Sequence, residues 1–252
     1  MDKEEQILIK RFKDLSLKSY QNNMYTFSGF MSLPQQDILY SVRSELSYIP
    51  FELYGGYKDS ERKIVRFGSE ELFGYAEDYP IVCLSIRPII EKFADTFSHR
   101  DFLGAIMNLG IERNTIGDIV LEGKNAYLFC INKIAPFIME ELDNVKHTHV
   151  KCEVVKNLIP IATKEPIEKE LVVSSARIDA VISKIYNISR NQSLDLFKTK
   201  KVFINGFVQE NNSYFIKKGD SVSVRGYGKF DYLGIKHETK KEKFCILIAK
   251  YE

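Results

Sequence analysis

The sequence of 252 residues lacks the features that mark membrane and secreted proteins. No apolar run approaches the roughly 18 residues that a membrane-spanning helix requires. The opening residues, Met1 to Glu5, are too acidic for the cationic start of a secretory signal. We therefore predict a cytoplasmic protein that has no membrane partner.

Cysteine and histidine are also scarce, with four residues of each. The cysteines stand far apart in apolar surroundings: Cys83, Cys130, Cys152 and Cys245. None forms a C-x-x-C pair, which favours buried thiols in a reducing compartment over a zinc site. His147 and His149 would share one face of a predicted strand, but two further ligands are missing. We predict no metal.

No catalytic arrangement stands out either. His99-Arg100-Asp101 resembles the kinase catalytic loop in three letters only, because the Asp-Phe-Gly segment and the Gly-rich loop are absent. Asp101 is better explained as a favourable charge at a helix start, with Ser98 or His99 near the cap and Arg100 exposed. The sequence predicts no catalytic residue and no cofactor.

The charge is distributed unevenly along the chain. Residues 171–252 contain 15 Lys and Arg against 8 Asp and Glu, whereas the remainder contains 21 against 26. A basic C-terminal region predicts an anionic partner, and a nucleic acid is the natural candidate because each neutralised phosphate releases counterions. A protein-binding adaptor that uses the acidic N-terminal part is an alternative that the sequence leaves open.

A stretch from Ser189 to Asn205 concentrates this positive charge. Ser189 and Gln192 have the spacing of a capping box that starts a short helix. Leu194, Leu196 and Phe197 supply its apolar side. Three lysines follow at its C-terminal end, Lys198, Lys200 and Lys201. They cap a helix dipole in the ordinary way, and they also suit RNA contact.

The flanking residues predict a small α+β module around this helix. Upstream, Ile178, Val181, Ile182 and Ile185 recur at helical spacing, and Asp179 is positioned to hold Arg177. Downstream, Asn205-Gly206 predicts a type I′ hairpin turn between two short strands. Val222 and Val224 then alternate with polar residues in a further strand.

Four spaced blocks of this module resemble a known RNA-binding domain. They read S-S-A-R-I-D-A-V-I from Ser174, I-S-R-N-Q-S from Ile188, K-V-F-I-N-G from Lys201 and K-K-G-D-S-V-S-V-R-G-Y-G-K-F from Lys217. The blocks are similar to the domain named after ribosomal small-subunit protein S-four. Two features depart from that pattern, since Lys200 stands where the family has the glycine that ends the helix, and Ser193 replaces an alanine. Losing the glycine removes the usual left-handed cap.

The rest of the chain is similar to one group that carries this domain, the YlmH-like proteins of bacteria. The resemblance includes Tyr54-Gly55-Gly56-Tyr57, His99-Arg100-Asp101-Phe102-Leu103-Gly104-Ala105 and Gly117-Asp118-Ile119. It implies a non-enzymatic protein that binds ribosomal or transfer RNA on the large ribosomal subunit in ribosome-associated quality control. We expect a monomer.

We predict that one face of the C-terminal domain contacts phosphates and sugar hydroxyls of structured RNA, by shape rather than by sequence. The predicted contact residues are Arg177, Ser189, Arg190, Lys198, Lys200, Lys201, Asn205, Arg225, Tyr227 and Lys229. His99 and Arg100 form a possible second contact with RNA or the ribosome.

The predicted fold class is α+β, in three parts joined by a linker. Residues 1–75 form an N-terminal helical and β-hairpin segment, and residues 76–156 read βαββαβ, the ferredoxin-like order found in RNA-recognition domains. Residues 157–170 are a linker, and residues 171–252 are the S-four-like domain. Tyr127 and Phe129 alternate in a strand of the second part, where they would share either a stacking platform or a buried face.

The competing function is RNA modification, because S-four-like domains also occur in pseudouridine synthases, a methyltransferase and tyrosyl-tRNA synthetases. A methyltransferase would need a Gly-rich methyl-donor site, and Gly226-x-Gly228 alone is too weak a signal for one. A pseudouridine synthase would need a catalytic Asp in a much longer domain.

Overall fold

The computed structural model describes residues 3–155, 166–239 and 243–251. The chain divides into two compact units, Met1–Ile161 and Ala162–Glu252. Both combine helices with antiparallel sheets, so the predicted α+β class is confirmed. Among the described residues, no helix is both long enough and apolar enough to cross a bilayer.

The first unit contains five α-helices and two sheets among its described residues. Its helices are α1 (Lys3–Asn22), α2 (Leu33–Ser41), α3 (Glu70–Phe73), α4 (His99–Met107) and α5 (Ala135–Glu141). Its strands are β1 (Thr26–Phe27), β2 (Phe51–Tyr54), β3 (Ile64–Phe67), β4 (Ile81–Pro88), β5 (Ile116–Glu122), β6 (Asn125–Ile131), β7 (Asn144–Val145) and β8 (Thr148–Val154).

The larger sheet of this unit has the strand order β5-β6-β4-β8-β7. With α4 after β4 and α5 after β6, the chain follows the predicted βαββαβ order, with β7 as a short addition at the edge. Both helices pack on one face of the sheet through Phe102, Ile106 and Ile138, which are buried with Leu84 and Leu128. This apolar core explains the alternating and helical patterns seen in the sequence.

The N-terminal segment covers the opposite face of the same sheet. Phe30 and Ile64 from the segment are buried together with Cys83 and Phe129 from the sheet, and Tyr57 packs against them. Two glycines allow this close approach, because a Cβ at Gly56 would lie 2.3 Å from the Phe129 ring and one at Gly117 would lie 2.6 Å from the Phe30 ring.

Asp118 ties the segment to strand β5. Its carboxylate accepts hydrogen bonds from the Tyr57 hydroxyl at 3.0 Å, the Glu61 backbone amide at 2.7 Å and the Arg62 backbone amide at 3.1 Å. The Arg62 guanidinium donates in turn to the carbonyl oxygen of Ile116 at 3.0 Å. The Gly-Gly-Tyr and Gly-Asp-Ile blocks therefore meet in the structure, and they join two parts of one unit.

The described residues of the second unit form one six-stranded antiparallel sheet and two helices. Its helices are α6 (Ile178–Tyr186) and α7 (Arg190–Lys198), and its sheet order is β11-β10-β12-β13-β14-β9. The strands are β9 (Ile167–Val173), β10 (Val202–Ile204), β11 (Phe207–Val208), β12 (Ser221–Val224), β13 (Gly228–Glu238) and β14 (Phe244–Tyr251). The helices pack on the sheet through Ile178, Val181, Ile182, Leu196 and Phe197.

Two expectations for the fold need correction, and one pair of strands was not predicted. His147 and His149 were expected in one strand, but Lys146, with a φ of +55°, and His147 form the turn between β7 and β8. The two histidines therefore do not share one strand. Of the predicted linker, residues 157–165 lie outside the described residues, whereas Ile167 to Glu170 pair with β14 as the start of β9. The long β13–β14 pair has no counterpart in the sequence-based prediction.

Candidate nucleic-acid interface

The starts of α6 and α7 bring two of the predicted arginines to one buried carboxylate. Asp179 is 1 % exposed, and it accepts hydrogen bonds from Arg177 Nε at 3.1 Å and Arg177 Nη2 at 2.8 Å. Arg190 Nη2 lies 3.8 Å from the same carboxylate, while its side chain stays 72 % exposed. We call Arg177, Asp179, Ser189 and Arg190 the helix-start cluster.

The sequence produces this cluster through local capping. The Ser189 hydroxyl accepts a hydrogen bond from the Gln192 backbone amide, and Gln192 accepts one from the Ser189 amide, which confirms the predicted capping box. One turn further on, the buried Ser193 hydroxyl donates to the Asp179 carbonyl oxygen at 2.9 Å. Ser193, which departs from the family alanine, therefore joins the two helices.

The end of α7 retains the geometry of a glycine cap without the glycine. Lys200 has a φ of +52°, and its amide donates to the Phe197 carbonyl oxygen at 3.0 Å. The Lys201 amide donates to the Leu196 carbonyl oxygen at 2.8 Å, which completes a Schellman motif. The expected loss of the left-handed cap is therefore wrong, because Lys200 takes up that conformation itself.

The end of α7 and the β12–β13 turn form a second group of predicted residues. The Arg225 amide donates to the Lys201 carbonyl oxygen at 2.9 Å, so these two exposed cations are neighbours, one just before β10 and the other just after β12. Lys229 follows at the start of β13, with its ammonium 4.9 Å from the centre of the Tyr251 ring. We call Lys200, Lys201, Arg225, Tyr227 and Lys229 the turn cluster.

Several predicted cations lie against carboxylates. Lys198 Nζ is 3.3 Å from Asp195, and Lys200 Nζ is 3.0 Å from Glu210. Both pairs are exposed, so water and salt screen them strongly. Counting only the residues that the structure describes, Lys201 and Arg225 form no ion pair.

Asn205 has a structural task in the hairpin between β10 and β11. Asn205 and Gly206 have φ angles of +53° and +90°, as the predicted type I′ turn requires. The Asn205 amide group donates to Asp220 at 3.0 Å and accepts from the Ser221 backbone amide at 2.8 Å. Both polar atoms of this side chain are thus hydrogen-bonded within the domain, which favours a role in fixing the hairpin over direct RNA contact.

The possible second contact lies in the first unit. Ser98 caps α4, with its amide and hydroxyl each 2.7 Å from the Asp101 carboxylate, so the structural explanation of Asp101 is confirmed. These bonds and Lys146 hold the pKa of Asp101 down, to about 2. Arg100 is exposed, and desolvation together with Arg113 lowers the pKa of His99.

Phe129 cannot act as a stacking platform on the middle sheet. Its ring is 1 % exposed and is stacked against Tyr57 with 5.0 Å between ring centres. Tyr127 is half-buried, and its hydroxyl lies 3.0 Å from the Glu122 carboxylate. Of the two possibilities that the sequence left open, the buried face is the one that occurs.

The described residues contain no group of three or more His, Cys, Asp or Glu side chains arranged to hold a metal. Cys83, Cys130 and Cys245 are buried and Cys152 is half-buried, all as free thiols. Burial raises the pKa of Cys83, Cys130 and Cys152 to about 12, which leaves the thiols protonated and unreactive.

Sequence reasoning missed two parts of the candidate site. It paired Asp179 with Arg177 alone and did not foresee that Arg190, itself a predicted contact residue, approaches the same carboxylate. It also omitted Tyr186 and Lys250, which approach the turn cluster from α6 and β14, with the Lys250 ammonium 5.7 Å from the Tyr186 ring centre. The only signal for Asp179 was its fixed place two residues after Arg177.

Comparisons with known proteins agree with the resemblance noted in the sequence. A family model described as "Putative RNA-binding domain in YlmH" matches residues 75–158. Over 218 residues the chain is 29% identical to the "Ribosome-associated protein quality control protein P2" of Bacillus subtilis (strain 168), covering 86% of this chain and 84% of that protein. A solved structure, "Cell division protein ylmH from Streptococcus pneumoniae", aligns with a TM-score of 0.49 and 17% identity, over 62% of this chain and 93% of that one. The family-model match and the Bacillus relative confirm the resemblance of this chain to YlmH-like proteins.

Proposed function

We propose that this chain binds structured ribosomal RNA, and also transfer RNA, on the large ribosomal subunit, and that it leaves the RNA chemically unaltered. In this proposal the C-terminal unit is an S-four-like domain and the sheet of β4 to β8 is ferredoxin-like. The protein acts in the cytoplasm as a monomer, in ribosome-associated quality control.

The helix-start cluster is the observation that carries the proposal. A carboxylate that is 1 % exposed fixes one arginine directly and lies 3.8 Å from a second, mostly exposed one. Burying an ion pair removes both charges from water, and their attraction often fails to offset that cost, so this arrangement needs a compensating benefit. Placing two guanidinium groups next to one carboxylate presents them together to phosphate oxygens and supplies that benefit, because Arg binds phosphate in an often bidentate way.

The turn cluster supports the same function by a different route. Lys201 and Arg225 are adjacent, exposed and free of ion pairs within the described residues, so their charge is available to a polyanion. About five phosphate contacts shared between the two clusters would give a log-log salt slope of roughly −3.5 to −4.5.

Co-sedimentation of the full chain with purified large ribosomal subunits tests the proposal. We expect the protein to sediment with the subunits at low salt and to be released with the slope given above. Nucleoside analysis of the RNA before and after incubation should show no new modification. Binding that ignores salt, or a modified nucleoside that appears in proportion to the added protein, would refute the proposal.

A further inference from the structure

An aromatic pair extends the turn cluster beyond phosphate contact. Tyr227 stands on the turn between β12 and β13, and its ring centre lies 5.3 Å from that of Tyr186 at the end of α6. We propose that Tyr227, backed by Tyr186, stacks on an unpaired nucleobase of the bound RNA. This inference rests on the proposed function and specifies which part of the RNA reaches this end of the domain.

The Tyr227 ring is both anchored and accessible. Phe230, which is 0% exposed in the core, contacts Tyr186 with 6.3 Å between ring centres, and Tyr186 contacts Tyr227. This chain of rings connects the turn to the core of the unit. Tyr227 nevertheless keeps 41% of its surface exposed. A fixed but exposed aromatic ring loses little conformational freedom when a base stacks on it.

The two glycines beside Tyr227 leave space for a planar ligand. A Cβ built at Gly226 meets no atom of the described residues within 4 Å, so the turn is open at this position. Gly228 has a φ of +122°, a conformation that other residues rarely adopt, and a Cβ at this position would meet only ordinary contacts at 3.8 Å and 3.9 Å. Glycine at 228 is therefore required by the backbone, and as a consequence the ring has no neighbouring side chain on either side in sequence.

The charge around the pair fits a nucleotide. Arg225 precedes Tyr227 by two residues, and Lys229 follows it by two. Lys250 lies with its ammonium 5.7 Å from the centre of the Tyr186 ring. Further along β13, the Asp231 carboxylate accepts a hydrogen bond from the Tyr251 hydroxyl at 2.7 Å. Aromatic rings among cations are how proteins hold unpaired nucleotides, with stacking for the base and cations for the phosphate.

The alternative explanation is that the pair only closes the turn. The turn already has a backbone hydrogen bond from the Tyr227 amide to the Val224 carbonyl oxygen at 2.9 Å, and both flanking strands are paired in register. Phe230 fills the core beneath it. A purely structural Tyr227 would be expected to be buried in the same way.

Fluorescence of a base analogue tests the inference. The probes are two RNAs of equal length, a hairpin with 2-aminopurine at an unpaired loop position and a fully paired duplex with 2-aminopurine in the stem. They are titrated with the full chain and with three variants, Tyr227→Ala, Tyr227→Leu and Tyr227→Phe. Thermal unfolding of each variant accompanies the titrations.

We expect the wild-type protein and Tyr227→Phe to quench the loop fluorophore. Tyr227→Ala and Tyr227→Leu should fail to quench it, and they should bind the hairpin roughly tenfold more weakly, as expected from losing one base–aromatic stack. Their affinity for the duplex should fall clearly less than their affinity for the hairpin, because the duplex offers no unpaired base to stack. An excess of unlabelled transfer RNA or unlabelled large-subunit RNA then shows which of the two competes for the stacking site.

Two results would overturn the inference. Unchanged quenching by Tyr227→Ala would show that the base does not stack there. An equal loss of hairpin and duplex affinity in both Tyr227→Ala and Tyr227→Leu would reduce the pair to a structural role. Failure of the wild-type protein to bind either RNA would instead refute the proposed function, together with this inference.

Discussion

The two units treat their candidate RNA-binding surfaces in opposite ways. In the first unit, the sheet face that carries Phe129 is covered by the chain's own N-terminal segment, and the ring is 1% exposed. In the second unit, Arg190 stays 72% exposed even though a buried carboxylate lies 3.8 Å away. The sheet face that carries Phe129 is therefore part of the core of the first unit, whereas Arg190 in the second unit remains exposed to solvent.

The difference shows which sequence signals are reliable. Aromatic residues at alternating strand positions suit a stacking platform and a buried core equally well, because both need apolar surface on one side of a sheet. Lys and Arg side chains rarely become fully buried, so a cluster of them marks a surface whatever the fold does around it. Charge therefore predicts an accessible site better than aromatic alternation does.

Removing the covered ring should give the largest effect on stability. Phe129→Ala deletes a fully buried side chain that contacts Tyr57, and we expect it to cost about 3–5 kcal/mol in the free energy of unfolding. Urea unfolding measures this loss. Tyr127→Ala, on the half-buried neighbour, is the control and should cost clearly less. If either variant remained stable but lost RNA affinity, the covered face would have to open and bind RNA.

Neutralising the buried carboxylate should affect both stability and binding. Asp179→Asn leaves Arg177 without its charged partner, and we expect a loss of about 2–4 kcal/mol, below the upper range for buried pairs because Arg177 is partly exposed. RNA affinity should fall, although the variant is more positive, since the two arginines are no longer held in place.

Asp195→Asn is the matched control for this change. It removes the same charge from an exposed residue whose ion pair with Lys198 spans 3.3 Å. We expect a stability change below about 0.5 kcal/mol, because the pair is at the surface, and RNA binding that is equal or slightly tighter. Tighter RNA binding by Asp179→Asn itself would show that net charge alone governs the interface.

Removing one cation from each cluster should change the salt dependence of binding. For Arg190→Ala combined with Lys200→Ala we expect the log-log salt slope to flatten by about one to two units, since each lost phosphate contact contributes about 0.7–0.9. Titrations of large-subunit RNA at several salt concentrations measure the slope. Arg43→Ala with Lys58→Ala removes two exposed cations from the other unit and should leave the slope unchanged. Equal slopes for the two double variants would mean that the clusters do not contact phosphate.

The smallest expected effect is on stability at Lys200, where two substitutions separate the role of charge from that of backbone conformation. Lys200→Gly relieves a left-handed residue, and we expect a gain of about 1 kcal/mol in the free energy of unfolding. Lys200→Ala loses the same charge without that relief, so the two variants should bind RNA equally weakly but differ in stability. Identical unfolding midpoints would contradict the conformational explanation.

Much of the fold could be predicted from local patterns. The capping box at Ser189, the Asn205-Gly206 turn and the buried positions Val222 and Val224 follow from rules that involve only neighbouring residues. The helix and strand order of the middle region follows from hydrophobic periodicity. The β13–β14 pair was missed because its register contains two irregularities, between Tyr232 and Gly234 and between Ile235 and His237, that interrupt the alternation.

The candidate site was only partly predictable. Each cation could be located by its residue type, and Arg177 could be matched with the nearby Asp179. The approach of Arg190 to the same carboxylate depends on how α6 and α7 cross, with Ser193 bonded to the Asp179 carbonyl oxygen. The meeting of Tyr186, Lys250 and Tyr227 depends on sheet register, which brings residues far apart in the chain to one end of the unit.

The sequence by itself determined where this protein is charged, where its helices begin and how its turns bend, because these properties depend on side chains within a few residues of each other. Tertiary structure alone decided which surfaces stay open. The N-terminal segment and the middle sheet share apolar surface that water disfavours, so they cover each other, and Asp179 is buried where α7 approaches the start of α6, with Ser193 bonded to the Asp179 carbonyl oxygen. Both the covered sheet face and the buried Asp179 depend on contacts between residues far apart in the sequence.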